Sequence, residues 1–247
     1  MHEALANLKL PRITFPQAPS AASAAPPQRE LHFFNPLVAA NLRQKQAVLS
    51  ILGKWHGSSP FILFGPPGTG ACDTRSTSAD PLTRSENAGK TVTIVEAVNQ
   101  IVSSDPSARV LICAPSNSAC DVVASRLVSL GSSRLFRLYA PYHHPVRVPA
   151  ALNAFTMRQE GVYVAPAQEQ LCAFQVVVVT CATGNMSSRF DVAQGHFSHI
   201  FIDECGQAEE PEGELIPLLL GPGVHIDFGS HHSAQHGRRR HVRDPLR

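Results

Sequence analysis

The sequence predicts an α/β fold in which a mainly parallel sheet is covered by helices on both faces. Five short apolar runs have the length of buried strands, at residues 61–64, 110–114, 135–139, 176–180 and 199–202. Stretches with helical patterning lie between several of them, at 41–52, 91–102 and 121–130. Strands that alternate with helices are typical of a parallel sheet, because a crossover helix returns the chain to the same sheet edge. The charged fraction of 16% is below the roughly 25% of ordinary soluble domains and favours strands buried on both faces.

The length of 247 residues allows one large domain with irregular ends, at about 150 residues per domain. Residues 11–30 hold five prolines among Ala and Ser, a composition that buries little apolar surface, so we expect a disordered tail over 1–30. The α/β domain then spans 31–226. Residues 131–172 are rich in proline and contain an ambiguous strand at 161–165, which indicates a subdomain inserted on the main sheet. Residues 227–247 are rich in His and Arg, without hydrophobic periodicity, and indicate a disordered basic tail.

Charge and cysteine content exclude some functions. The net charge is +2, but residues 228–247 hold five Arg and one acidic residue, so the rest of the chain has 16 basic and 18 acidic side chains. Net charge is therefore no argument for nucleic-acid binding. The six cysteines have no paired Cys-x-x-Cys spacing, which favours reduced thiols in a reducing compartment. No apolar run approaches the roughly 18 residues of a membrane helix, so we expect a soluble, intracellular chain.

A phosphate-binding loop is split in this sequence. The first predicted strand leads into glycine-rich residues, and a Lys-Thr pair appears at the start of the next predicted helix. A P-loop uses glycines so that backbone N–H groups approach phosphate oxygens, a Lys to neutralise the phosphates and a hydroxyl to ligate Mg²⁺. The candidate nucleotide-binding residues are Gly65, Pro66, Pro67, Gly68, Thr69, Gly70, Gly89, Lys90 and Thr91.

Removal of residues 71–89 or 70–88 leaves Gly-Pro-Pro-Gly-Thr-Gly-Lys-Thr, a complete P-loop. The 19 extra codons correspond to 57 bases, an in-frame length that fits a short intron. We therefore interpret 71–89 as a retained or wrongly annotated intron. The alternative is a genuine insertion that is looped out of the cradle, since closing a loop of this length costs only a few kcal/mol.

Two adjacent carboxylates follow the fifth predicted strand. Asp203 and Glu204 stand where ligands of open α/β sheets bind, at the carboxyl end of a strand. In a nucleotide hydrolase Asp203 would hold Mg²⁺ and Glu204 would act as the general base on water. Gln207, one turn further on, is placed to report the γ-phosphate. An acidic pair alone is more often a solvated strand end, but the upstream phosphate loop favours the functional interpretation.

Two further segments carry polar side chains suited to binding. Ser116 and Asn117 follow the strand at 110–114 and, with helix-start N–H groups, could hold a nucleic-acid phosphate. They could equally well cap the following helix. Gln44 precedes the first strand and could pair with the hydrogen-bonding edge of adenine, although by itself it fits a solvated helix face.

Together these residues resemble a known family. The chain is similar to superfamily 1 RNA helicases of the Armitage and plant silencing-defective type, related to the nonsense-mediated-decay helicase. The similarity covers about residues 31–226. Its motifs are His32-Phe-Phe-Asn-Pro-Leu-Val-Ala-Ala-Asn41 with Gln44, the split loop over 65–91, Ala114-Pro-Ser-Asn-Ser-Ala-Cys-Asp121, Arg137-Leu-Tyr-Ala-Pro141, Gly161-Val-Tyr-Val-Ala-Pro166, His196-Phe-Ser-His-Ile-Phe-Ile202 and Asp203-Glu-Cys-Gly-Gln207 with Glu210-Pro-Glu212.

The resemblance implies a RecA-like P-loop NTPase domain of an ATP-dependent RNA helicase that moves 5′→3′ on single-stranded RNA in RNA silencing or RNA turnover. It implies ATP and Mg²⁺ as cofactors, RNA-silencing or decay proteins as partners, and a cytoplasmic monomer. Carried over residue by residue, Gln44 would read adenine, Lys90 would neutralise phosphates, Thr91 and Asp203 would serve Mg²⁺, Glu204 would be the base, Gln207 would couple hydrolysis to RNA, and Ser116, Asn117 and Thr180 would contact RNA.

The sequence departs from the family in two places. Cys205 stands where the family usually has Ala. After about Ile226 the family continues into a second RecA-like domain with arginine fingers, whereas this chain continues into the basic tail. We therefore expect the chain as written to be inactive alone. The alternative is a catalytically inactive protein that binds RNA or helicase partners. A metal protein built on His231, His232, His236 and His241 is a third, weaker alternative because no predicted element supports those ligands.

Overall fold

In a computed structural model of the chain, the structure describes residues 31–53, 61–63, 88–184, 192–193, 195–204 and 224–228, the last segment as backbone only. The strands are β1 Phe61–Ile62, β2 Val110–Ala114, β3 Leu135–Arg137, β4 Arg158–Gln159, β5 Val162–Tyr163, β6 Val176–Thr180, β7 His199–Asp203 and β8 Val224–Phe228. The helices are α1 Pro36–Ala40, α2 Leu42–Gly53, α3 Ala88–Ser104, α4 Asn117–Arg126, α5 Gln168–Ala173 and α6 Cys181–Gly184. Three 3₁₀ turns lie at Val128–Leu130, Pro145–Arg147 and Ala150–Phe155.

Six of the strands form one parallel sheet in the order β1-β8-β7-β2-β6-β3. In the register of this sheet Ala114 of β2 pairs with Thr180 of β6, and Cys113 of β2 pairs with Ile202 of β7. The carboxyl ends of these three central strands therefore lie at one edge of the sheet. Strands β4 and β5 form a separate antiparallel pair.

Apolar side chains cover both faces of the sheet. Val110 and Ile112 of β2 belong to a large core cluster that includes Val48 of α2 and Ile94 of α3. Leu111 and Cys113 of β2 belong to a second cluster on the opposite face, with Phe136, Leu171 and Phe197. Successive side chains of a strand point to opposite faces of the sheet. A strand in which all of them are buried must therefore be covered on both faces. The predicted α/β fold with a parallel sheet and helices on both faces is confirmed.

Most predicted elements are present with shifted ends. Strands β2 and β6 have the predicted bounds, whereas β3 ends at Arg137, two residues earlier than predicted. Helix α3 begins at Ala88, three residues earlier than expected. Helix α4 begins at Asn117 instead of residue 121, because Ser116 caps it, and it ends at Arg126 before a 3₁₀ turn. Helix ends depend on capping bonds that hydrophobic periodicity does not report.

Two strands cross the boundaries predicted for the tail and the insertion. Strand β8, which the apolar pattern did not predict, runs two residues into the segment 227–247 that we expected to be a disordered tail. The pairing of β8 with β1 and β7 defines this strand, and such pairing is not visible in the local sequence. Strand β3 lies inside the segment 131–172 that we expected to be an insertion, yet it is an edge strand of the main sheet. The predicted strand at 161–165 is the short β5, paired with β4.

Other predictions are met only in part by the described residues. Cys113, Cys120, Cys172 and Cys181 are free thiols, as expected, and Cys172 alone of these four is not buried. Within the described ranges, no helix has the length and apolar character needed to cross a bilayer. The predicted tail 1–30, residues 71–87 of the predicted intron, residues 229–247, Cys72 and Cys205 lie outside the described residues.

Candidate functional site

The start of α3 and the end of β7 meet at the carboxyl edge of the sheet. The Thr91 hydroxyl donates a hydrogen bond to Oδ2 of Asp203 over 3.1 Å. Both residues are nearly inaccessible to solvent, at 4% and 2% exposure. A hydroxyl and a carboxylate are hard oxygen donors of the kind that Mg²⁺ prefers, so this pair fits a divalent cation.

The charge state of Asp203 depends on its surroundings. Burial raises its pKa to about 6, an effect opposed by the hydrogen bond from Thr91 and by the positive charge of Lys90. Lys90 itself is buried in the first turn of α3. A cation bound beside Asp203 would favour the ionised carboxylate for the same electrostatic reason as Lys90.

Glu204 follows Asp203 in a left-handed backbone conformation, with φ of 57°. Its N–H donates to Oδ1 of Asp203 over 3.0 Å. A non-glycine residue with positive φ is uncommon and costs on the order of 1 kcal/mol or more. Strand β7 ends at this turn. Glu204 lines a cleft of about 170 Å³, together with Thr91 and Asp203.

The same cleft is bordered by the start of α4. Ser116, Ser118, Ala119 and Val122 line it opposite the acidic pair. The Ser116 hydroxyl accepts a hydrogen bond from the N–H of Ala119 over 3.1 Å and is the N-cap of α4. The capping alternative is therefore present in the structure, and it leaves Ser116 at the cleft.

Gln44 lies on α2 near the start of α3. Its Nε2 donates to the carbonyl oxygen of Gly89 over 3.0 Å, and the Thr93 hydroxyl donates to the same oxygen over 2.8 Å. The predicted adenine-reading residue is thus joined to the backbone next to Lys90. The structure brings together Gln44, Gly89, Lys90, Thr91, Asp203 and Glu204 from three separate segments of the predicted site.

Comparison with known proteins identifies the family of this chain. A family model described as AAA domain matches residues 39–162, about half of the chain, from α2 through α3 and α4 to β5. The chain belongs to the AAA domain family. The match includes Gln44, Gly89, Lys90, Thr91, Ser116 and Asn117.

Individual relatives of this AAA domain chain are named as helicases. The chain is 35% identical over 239 residues to the putative helicase mov-10-B.1 of Danio rerio, covering 87% of this chain and 21% of that protein. It is 38% identical over 198 residues to the RNA helicase Mov10l1 of Homo sapiens, covering 79% of this chain and 14% of that protein. It is 27% identical over 201 residues to the probable RNA helicase armi of Drosophila melanogaster, covering 73% of this chain and 15% of that protein. The resemblance to Armitage-type helicases is confirmed, and the chain spans about a fifth or less of the length of these relatives.

The three predicted RNA-contacting residues of the AAA domain have different surroundings. Asn117 is half-exposed, and its Oδ1 accepts a hydrogen bond from Nη2 of Arg137 over 2.8 Å. Thr180 is buried, and its hydroxyl donates to the hydroxyl of Thr183 over 2.9 Å at the start of α6. Ser116 and Asn117 therefore lie nearer to solvent than Thr180.

Sequence reasoning missed Glu96 of α3, which is 1% exposed. Its two carboxylate oxygens accept hydrogen bonds from the N–H groups of Phe34 (3.0 Å) and Asn35 (2.9 Å). Gln100 also donates to Glu96 and to the carbonyl of His32. These bonds fasten the segment before α1 to α3. The signal in the sequence was a single charged residue within the apolar face of a predicted helix.

Several predicted site residues lie outside the described residues. They are Gly65, Pro66, Pro67, Gly68, Thr69, Gly70, Gln207, His231, His232, His236 and His241.

Proposed function

We propose that this AAA domain chain binds ATP with Mg²⁺ and serves as the ATP-binding domain of an RNA helicase. The observation that carries the proposal is the hydrogen bond between Thr91 and Asp203 at the carboxyl edge of the sheet. A hydroxyl from a helix start and a carboxylate from a neighbouring strand end are the two protein groups that hold Mg²⁺ in P-loop NTPases.

Each part of the nucleotide has a candidate partner. Thr91 and Asp203 would hold Mg²⁺, which when bound neutralises charge on the phosphate oxygens. Lys90, with backbone N–H groups of residues 65–70, would hold the phosphates. Gln44 would face the adenine edge, and its bond to the Gly89 carbonyl supports a position next to the phosphate-binding turn.

Hydrolysis needs a group that orients water and accepts its proton. Glu204 suits this role because it lines the cleft and follows Asp203 directly in the chain. Gln207 would then couple the hydrolysed phosphate to RNA. Single-stranded RNA would cross the start of α4 at Ser116 and Asn117, with Thr180 as a further candidate. Relatives named as RNA helicases support RNA as the substrate. From the resemblance to Armitage-type helicases, we extend the proposal to 5′→3′ movement on RNA in silencing or decay, with protein partners from those pathways, for a monomer in the cytoplasm.

The mature protein, in this proposal, lacks residues 71–89. The support is that Gly89 and Lys90 already form the first turn of α3 in register with the Thr91–Asp203 bond. Deletion of 70–88 or of 71–89 gives the same sequence, in which Ala88 is lost but Gly-Lys-Thr still stands at the helix start. Sequencing of the transcript across the codons for Phe64 to Val92 tests this directly: a product without the 57 bases supports the proposal, and universal retention of them contradicts it.

The activity test compares the chain with and without residues 71–89. We expect the shortened chain to bind Mg·ATP and, once it is also extended by a second RecA-like domain, to hydrolyse ATP faster when oligouridylate is added. Lys90→Ala should abolish binding, and Glu204→Gln should retain binding but lower the hydrolysis rate by roughly a hundredfold or more. Lys45→Ala and Glu169→Gln, at exposed positions on α2 and α5, are the matched controls.

The outcomes separate the two functions that the sequence allows. RNA-stimulated hydrolysis that depends on Glu204 supports an ATP-driven helicase domain. RNA binding without any Mg·ATP binding in either version overturns this proposal and supports an inactive RNA-binding protein. Residues 71–89 separate Gly70 from Lys90. This separation favours the inactive RNA-binding protein only if the transcripts keep the 19 codons for these residues.

A further inference from the structure

Arg137 is the last residue of β3, and its side chain is 0% exposed. Its Nε donates to Oδ1 of Asp121 over 2.9 Å, and its Nη2 donates to Oδ1 of Asn117 over 2.8 Å. Nη1 donates to the backbone carbonyls of Leu138 and Val178. A buried cation is costly unless it is paired and hydrogen-bonded. These contacts satisfy that requirement and fix the plane of the guanidinium.

Tyr139 holds the same cluster from a second side. Its hydroxyl donates to Oδ1 of Asp121 over 2.7 Å, and its ring centroid lies 4.0 Å from the guanidinium carbon of Arg137. Burial raises the pKa of Tyr139, so the phenol remains a hydrogen-bond donor at neutral pH. Asp121 and Arg137 are therefore held in place by groups from both α4 and the segment after β3.

The bond from Arg137 determines which way the Asn117 amide points. A guanidinium has five N–H donors and no acceptor, so only the oxygen of the amide can face it. The Nδ2 group, with two donor hydrogens, must then face away from Arg137. Because Arg137 is fully buried and Asn117 is half-buried, the donor end of the amide is the end directed away from the buried guanidinium.

A donor end at this position suits a phosphate. Phosphodiester oxygens accept hydrogen bonds but do not donate them, so an amide turned the other way would repel them. The geometry points to Arg137 as a positioning residue that orients Asn117 for contact with the RNA backbone. This inference rests on the proposed RNA-binding function and adds to it a buried residue that does not touch RNA.

The first test is Asn117→Asp in the full 247-residue chain. Aspartate keeps an oxygen for Arg137, so the melting temperature should be unchanged or higher. It removes the outward donors, so the dissociation constant for a fluorescent 12-nucleotide oligouridylate should rise by roughly tenfold or more. Asn153→Asp adds the same charge at an exposed position outside the start of α4 and should change that constant by less than about twofold. Wild-type affinity in Asn117→Asp would overturn the inference.

The second test asks whether Arg137 acts through Asn117. Arg137→Lys keeps the positive charge near Asp121 but loses the fork that orients the amide. We expect it to weaken RNA binding in the wild-type background and to have no further effect on RNA binding in Asn117→Ala, while it lowers the melting temperature in both. An equal loss of RNA affinity in both backgrounds would show a merely structural role.

The outcomes also separate this inference from the proposed function. If the wild-type chain binds no oligouridylate, the proposed RNA-binding function fails and the inference fails with it. If the wild-type chain binds and Asn117→Asp binds equally well, only the inference fails. If Arg137→Lys does not fold, the comparison of Asn117→Asp with the wild type still tests the inference. The Asn117→Asp variant keeps an oxygen that accepts the hydrogen bond from the buried Arg137.

Discussion

The hydroxyl of Thr91 and the carboxylate of Asp203 are 112 residues apart in the chain and 3.1 Å apart in the structure. The parallel sheet brings them together because β7 ends at the same sheet edge at which α3 begins. Both residues are nearly inaccessible to solvent and both line the cleft, so we expect them to meet a ligand there.

Asp203→Asn should remove most of the stabilisation by Mg·ATP. In the chain without residues 71–89, Mg·ATP should raise the melting temperature of the wild type, since a ligand that binds only the folded state stabilises it. The neutral amide keeps the shape of Asp203 but supplies no negative charge to the metal. Differential scanning fluorimetry with ATP, with and without Mg²⁺, measures the shift.

Asp105→Asn is the matched control, because Asp105 lies in an exposed turn with Ser107 and has no contact with the cleft. An Asp203→Asn variant that keeps the full magnesium-dependent shift would contradict the proposed metal site.

Glu96→Ala should destabilise the fold and detach the segment before α1. The substitution leaves the N–H groups of Phe34 and Asn35 without their carboxylate acceptors in a partly buried position. Hydrogen bonds to a charged group contribute about 1.5–3 kcal/mol each, so we expect the free energy of unfolding to fall by about 2 kcal/mol or more. Urea denaturation followed by circular dichroism measures it.

Glu169→Ala, on the exposed side of α5, should cost well under about 1 kcal/mol. Equal losses for the two glutamates would show that the bonds to residues 34 and 35 contribute little.

Ser116→Ala should lower the free energy of unfolding by about 1 kcal/mol, the usual cost of removing an N-cap. Its hydroxyl is the acceptor for the N–H of Ala119 at the start of α4. Ser116→Asp retains an acceptor there and should be as stable as the wild type, and its negative charge should still weaken binding of oligouridylate. Ser103→Ala, at an exposed position in the last turn of α3, is the control for stability. A stable Ser116→Asp variant with unchanged RNA affinity would place the RNA elsewhere.

Local sequence predicted the central strands well, for physical reasons, and it singled out Thr91 and Asp203, which the structure places in contact. Strands β2 and β6 are continuous apolar runs because both faces are covered, and such runs are recognisable without any partner. Thr91 and Asp203 were found because their chemistry needs fixed neighbours in the chain. Strand β8 was missed because its definition comes from pairing with β1 and β7.

Glu96 and Arg137 illustrate the same limit for side chains. In the sequence, a charged residue within an apolar pattern gives no sign of whether it is solvated or buried with a partner. Only the contacts of Glu96 with residues 34 and 35, and of Arg137 with Asn117 and Asp121, show that both are buried and paired. These partners are 16 to 62 positions away, beyond any local pattern.

Cysteine reactivity should follow burial among the four described thiols. Burial raises the pKa of Cys120 to about 11 and that of Cys113 well above its ordinary value. At pH 8 only about one thousandth of Cys120 is thiolate, the form that reacts. We expect iodoacetamide to label Cys172 first in the native chain, and Cys113 and Cys120 only after unfolding, as measured by peptide mass spectrometry.

The same shift predicts a loss of stability at alkaline pH. The unfolded thiol ionises near pH 9, whereas folded Cys120 ionises near pH 11, so above pH 9 the folded state binds more protons than the unfolded state. The free energy of unfolding therefore falls as the pH rises from 9 towards 11. Cys120→Ala should reduce this slope, whereas Cys172→Ala should not. A native chain in which Cys120 is labelled as fast as Cys172 at pH 8 would contradict the burial of α4 against the sheet.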